Sequence, residues 1–127
     1  MDKKTLVEKD LEQGKKLLET LDKYKYPVKG ALWYFEINSN SYKLIIISDI
    51  VEKIGLINGY AKLNNIILKE NIDLAFDDIS LISNNHTIPQ TLRHMIKTSP
   101  SAIMEIRSMN NTINGIFFPD LYIYRLA

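Results

Sequence analysis

Apolar and polar positions recur along the chain with two different periods, and each change of period marks an element. Between Asp2 and about Tyr24, Val7, Leu11, Leu18 and Leu21 repeat at helical spacing, with Leu17 beside them. Gly14 fills the gap in that stripe, which predicts a helix whose glycine faces the core. A glycine inside a helix costs about 1 kcal/mol relative to alanine, so this position predicts close approach by a sheet backbone or by Trp33. Leucine there is expected to overpack by about 1–3 kcal/mol. Glu12 with Lys16 and Glu19 with Lys23 form i,i+4 pairs on the wet side. The helix ends before Pro27, because a residue preceding proline is pushed away from helical dihedrals.

From Lys29 to Ile37 the period becomes two, with Ala31, Trp33, Phe35 and Ile37 opposite Leu32 and Tyr34. Both faces are apolar, which predicts an interior strand with Trp33 as a core anchor. Asn38-Ser39-Asn40-Ser41 is turn chemistry, and Tyr42 to Ser48 returns as the second strand of a hairpin.

Beyond the Asp49–Gly55 connector, a helix is expected from Leu56 to Glu70, burying Tyr60, Leu63, Ile66 and Ile67. Asn71 to Asp78 is an acidic connector, and Ile79 to Ser83 a short strand. Thr87 and Gln90 have capping-box spacing, so a third helix is expected from Ile88 to Thr98, ending at Ser99-Pro100. The last quarter reads as β: Ala102–Arg107, a turn at Asn110-Asn111, then Ile113–Phe118 and Leu121–Leu126. Pro119-Asp120 marks either a type I turn or a kink in one long edge strand. The expected order is α-β-β-α-β-α-β-β-β in one domain over residues 1–127. That predicts a two-layer α+β fold, with a mixed, mainly antiparallel sheet and helices packed on one face.

Composition narrows the function classes. Of 127 residues, 46% are apolar and 24% charged, which suits a folded core and excludes a disordered chain. Lys and Arg number 16 against 15 Asp and Glu, a net charge of +1, far from a chain that holds DNA by charge alone. Without cysteine there is no disulfide, thiolate nucleophile or Cys-based metal site. The charged N-terminal stretch lacks an export core, and the longest apolar run, Leu44–Ile47, is too short to span a bilayer. The cytoplasm is the expected compartment, with no membrane partner.

Candidate chemistry is sparse. No G-x-S-x-G, Walker, GxGxxG or H-E-x-x-H motif occurs, and nothing nominates a catalytic residue, a cofactor or a metal. His86 reads as a loop or cap-side hydrogen-bonding residue, and His94 as part of a solvated helix face. Asp77, Asp78 and Glu105 imitate a metal-dependent nuclease only if they converge, and Arg107 stands where a lysine is wanted. Charge is uneven: after Ile88, Arg93, Lys97, Arg107 and Arg125 face only Glu105 and Asp120. A nucleic-acid face built from Arg93, His94, Lys97 and Arg107, with Tyr122, Tyr124 and Arg125 stacking and gripping, is the alternative reading.

Asp10-Leu11-Glu12-Gln13-Gly14, Leu17-Leu18, Leu21-Asp22 and Ala31-Leu32-Trp33 resemble the opening of a group of small uncharacterised bacterial proteins. Ile113-Asn114-Gly115 and Tyr122-Ile123-Tyr124-Arg125-Leu126 are similar to the end of that group. The resemblance implies a single-domain bacterial family and brings no activity with it. The leading expectation is a non-enzymatic protein–protein interaction module, binding a partner or itself as a homo-oligomer. Its contact residues are expected at Tyr122, Tyr124 and Arg125 on a terminal edge strand.

Overall fold

The hairpin around Asn38 forms as expected: β1 (Gly30–Glu36) and β2 (Ser41–Ile47) pair antiparallel from Gly30↔Ile47 to Glu36↔Ser41. It belongs to a computed structural model that describes residues 3–127. The helices are α1 (Glu8–Lys23), α2 (Ile50–Ile54), α3 (Leu56–Lys69) and α4 (Thr87–Leu92). The remaining strands are β3 (Ile79–Ile82), β4 (Ile106–Ile113) and β5 (Ile116–Leu126), and a 3-10 turn at Phe76–Asp78 leads into β3. The strands form one sheet in the order β3-β2-β1-β5-β4. Every neighbour is antiparallel except β2 and β3, whose parallel pairing needs the α2–α3 crossover between them. The fold is α+β with a mixed, mainly antiparallel sheet.

The two long helices lie on one face. Leu17, Leu18 and Leu21 of α1 and Leu63, Ile66 and Ile67 of α3 pack on Ala31, Trp33, Leu44, Ile46 and Leu81. Trp33 is fully buried, the core anchor its strand pattern predicts. On the opposite face Leu32, Ile45, Ile47, Phe118, Leu121 and Ile123 gather around Leu92, with Ile88 and Ile96 beside them.

Several boundaries differ from expectation, each for a reason visible in the hydrogen bonds. Asp2 lies outside the described residues, and α1 begins only at Glu8. The Asp10 carboxylate accepts from the Val7 N–H at 2.9 Å and pairs with Lys3 at 2.8 Å, which turns the preceding residues away from the helix. One backbone bond ties them to β2, the Lys3 carbonyl accepting from the Tyr42 N–H. Val7, expected on the buried stripe, is 49% exposed. The Asp49–Gly55 connector holds the short helix α2, closed by Gly55 at φ 85°.

The third helix stops at Leu92 rather than Thr98. The end of β5 captures the chain that follows: the Thr98 N–H donates to the Leu126 carbonyl, and Thr98 Oγ1 accepts from the Leu126 N–H. Its N-terminus is capped by His86, whose Nδ1 accepts from the Ile88 N–H, so Thr87 is a helical residue and not the cap. His86 thus has the cap-side place expected of it.

The largest correction concerns the C-terminal quarter, which contains two strands rather than three. Asn110 and Asn111 lie inside β4, and the hairpin turns at Asn114-Gly115, both at positive φ (50° and 80°). Two successive positive-φ residues suit the twist of a two-residue hairpin, and Asn-Gly adopts them most readily. Pro119-Asp120 is no turn but an irregularity within β5, which is an interior strand between β1 and β4. Opposite the proline, Asn110 takes φ 54°. Ile106 and Ile113, of opposite parity along β4, both pack on the same cluster, so the hairpin exchanges its faces at that point.

Candidate functional site

The irregularity at Pro119 lies beside a concavity in the sheet. The β1–β5 ladder ends at Tyr34↔Leu121. Pro119 offers no backbone donor, and the hairpin tip beyond it turns away from the end of β1. Among the described residues, Phe35, whose backbone groups face β5, finds no backbone partner across this splay, while Glu36 pairs with Ser41 of β2. A groove of about 460 Å³ opens between Tyr34–Asn38 on one wall and Gly115–Phe118 on the other, with Ile88 of α4 also lining it.

The groove is apolar at its rim and floor. Phe118 is buried, while Ile37 (55% exposed), Phe117 (46%) and Ile116 (38%) stand open around it. Glu36 is the single charged residue of the lining. The Tyr34 hydroxyl donates to its Oε2 at 2.7 Å, and this bond, with the nearby Ser39 hydroxyl next, holds the Glu36 carboxyl below its usual range. Burial is the first cause that pushes the Tyr34 phenol upward, the Glu36 hydrogen bond the second.

A polar cluster sits on the helix-side face of the sheet. Asp120, only 4% exposed, accepts from Arg107 Nε at 3.0 Å, from Arg107 Nη2 at 2.5 Å and from the Tyr42 hydroxyl at 2.6 Å. Burial, then the Asp120 hydrogen bond, raises the Tyr42 phenol to about 12. All three groups are satisfied by one another, so the cluster is a brace between β2, β5 and β4.

The residues expected to make contacts with partners are placed differently. A bulge in the β1–β5 pairing, between Ala31↔Arg125 and Leu32↔Ile123, turns the consecutive residues Tyr124 and Arg125 toward α1. Tyr124 is fully buried, its hydroxyl donating to the Leu11 carbonyl at 2.5 Å. Arg125 is 1% exposed and bonds to Asp22 through Nη1 (3.0 Å) and Nη2 (2.8 Å), and also to the carbonyls of Val28 and Ala102. Neither is available to a partner, because β5 is not an edge. Tyr122 is half-buried and stacks edge-on against Tyr124 at 5.5 Å.

The basic set does not form one face either. Arg107 is bound to Asp120, and Arg93 donates to the Ala127 carbonyl and to Asn84. His94 and Lys97 are exposed beyond the end of α4. Asp77 and Asp78 precede β3 at one edge of the sheet, whereas Glu105 precedes β4 at the other, so the three carboxylates do not converge. The groove itself was not foreseen. Asn114-Gly115 between Ile113 and Ile116 was the signal that would have located its outer wall. Compared with protein-family models, curated proteins and solved structures, the chain gives no significant match.

Proposed function

We propose that the protein is a non-enzymatic protein–protein interaction module, binding another polypeptide or a second copy of itself at the splay between β1 and β5. One observation carries this reading: Ile37, Ile116 and Phe117 stand exposed together around a concave groove instead of singly on a flat surface. Clustered apolar exposure beside a cavity is characteristic of contact surfaces, since it leaves in water the area that association removes.

The sheet edges support the same reading. The four-residue β3 is guarded, because the Leu81 N–H donates to the Tyr60 hydroxyl at 2.8 Å. The eight-residue β4 has no backbone partner on its outer side among the described residues, and Met109 beside it is 58% exposed. Such an edge accepts a further strand. The reading places the protein in the cytoplasm, in keeping with a chain that contains no cysteine. No helix among the described residues is long and apolar enough to cross a membrane.

Photo-crosslinking tests the proposal. A photoreactive amino acid at Phe117, compared with one at exposed Lys16 of α1, should give a discrete adduct in the native host or with purified protein. A homodimer adduct or one partner band at Phe117 alone is the expected result. Equal background at both positions, with a monomer throughout a concentration series, would overturn it.

A further inference from the structure

Resting on that reading of the groove, we infer that its ligand is an extended segment of a partner protein, with an apolar side chain and a lysine or arginine separated by one residue. Three observations converge on this ligand. First, the groove exists because a ladder stops. Past Tyr34↔Leu121 the backbone N–H and C=O of Phe35 face the splay, those of Glu36 pointing to Ser41 of β2, and an extended chain is the ligand form that pairs with the free backbone groups of a strand.

Second, the lining places one full negative charge among mostly apolar side chains. The Tyr34 hydroxyl hydrogen-bonds the Glu36 side chain and favours its ionised form, and that carboxylate has no ion-pair partner among the described residues. The cation that affects it, Lys43, donates its Nζ to the Asp77 carbonyl at 2.9 Å. An anchored carboxylate without a cation selects a positively charged side chain and disfavours an acidic one.

Third, the spacing follows from strand geometry. Tyr34 and Glu36 share a face of β1, and Ile88 and Tyr34 both pack against the cluster on that face. A strand laid along the groove directs alternate side chains to the same side. One of them meets the apolar rim of Ile116 and Phe117, and the next on that side meets Glu36. The polar residue between them points to solvent, and its identity is free.

The test is a phage-displayed library of random heptapeptides panned on the wild-type protein and on Glu36→Gln. Glu36 is a partly exposed side chain, and glutamine still accepts from Tyr34, so the variant should keep the wild-type Tm. Wild-type protein should enrich sequences with an apolar residue and Lys or Arg in an x, x+2 relation. Synthetic peptides made from them should bind Glu36→Gln about tenfold more weakly, as expected for loss of one charged hydrogen bond. Amide resonances of Phe35–Ile37 and Ile116–Phe118 should shift on binding, while those of α1 stay in place. Enrichment without a basic residue, equal binding to Glu36→Gln, shifts at another surface, or no enrichment would each overturn the ligand assignment. Butylamine tested alone should not compete at concentrations at which the peptides bind, and full competition by it would overturn the extended-peptide form. The crosslink at Phe117 reads the interaction-module proposal separately, because it depends neither on peptide length nor on Glu36.

Discussion

A β-carbon added to Gly14 would lie 2.5 Å from the Tyr124 hydroxyl oxygen, so the absent side chain of α1 is the space that this phenol fills. The same β-carbon would stand 2.9 Å from Trp33 Nε1, which itself donates to the Tyr124 oxygen at 3.2 Å. Helix, β1 and β5 therefore meet at one point through a glycine, a tryptophan and a tyrosine. The Tyr124 oxygen is held there because it donates in turn to the Leu11 carbonyl.

Gly14→Ala should lower stability despite the gain of about 1 kcal/mol in helix propensity. Its methyl group cannot be accommodated without shifting a hydrogen-bonded ring, and overpacking of this kind costs about 1–3 kcal/mol. Gly14→Leu should be worse than Gly14→Ala. Adding Tyr124→Phe to Gly14→Ala should recover part of the loss by removing the closest contact. Urea unfolding of the three variants reads this order, and an unchanged midpoint for Gly14→Leu would contradict the packing described here.

Arg125 predicts a second stability effect. Removing a buried charge that serves two carbonyls and a carboxylate leaves those acceptors unpaired, and Arg125→Ala should cost about 3 kcal/mol. Asp22→Asn should cost less, since Asp22 is 40% exposed and water reaches it. Thermal unfolding of both variants checks the ranking.

The Asn114-Gly115 turn provides a third. Gly115 has φ 80° with open space around it, so a substitution there meets backbone strain and no steric contact. Gly115→Ala should destabilise by about 1–2 kcal/mol, the cost of a left-handed conformation for a residue with a β-carbon. It should also broaden the resonances of Ile116 and Phe117, because the turn sets the outer wall of the groove.

Alkaline stability follows from Tyr42. Its folded value of about 12 lies above the ordinary 10, so its contribution is intact below pH 10 and declines as pH rises toward 12. Tyr26, Tyr34 and Tyr124 are shifted upward as well, mainly by burial, and act in the same direction. Stability should fall steeply above pH 10. Tyr42→Phe should be less stable at neutral pH, through the lost bond to Asp120, yet show a shallower decline between pH 10 and 12. Chemical denaturation at a series of pH values, with tyrosinate absorbance as the titration probe, distinguishes the two slopes.

By itself, the order of residues determined the elements whose pattern is local. The leucine stripe around Gly14, the alternation through Trp33 and the Asn38–Ser41 turn each specify their structure within a few residues, because helical and strand periodicities are short-range properties. The buried glycine and the α+β class follow from the same patterns. Tertiary structure alone decided where Tyr124 and Arg125 point, since a bulge in the β1–β5 register sends consecutive residues to one face, and register depends on the partner strand. It also cut α4 short, because a backbone bond from Thr98 to Leu126, distant in sequence, outcompeted another helical turn. The groove belongs to this second kind: Pro119 is visible in the sequence, but a splay exists only where the proline meets the end of β1, and that meeting is made by the folded sheet.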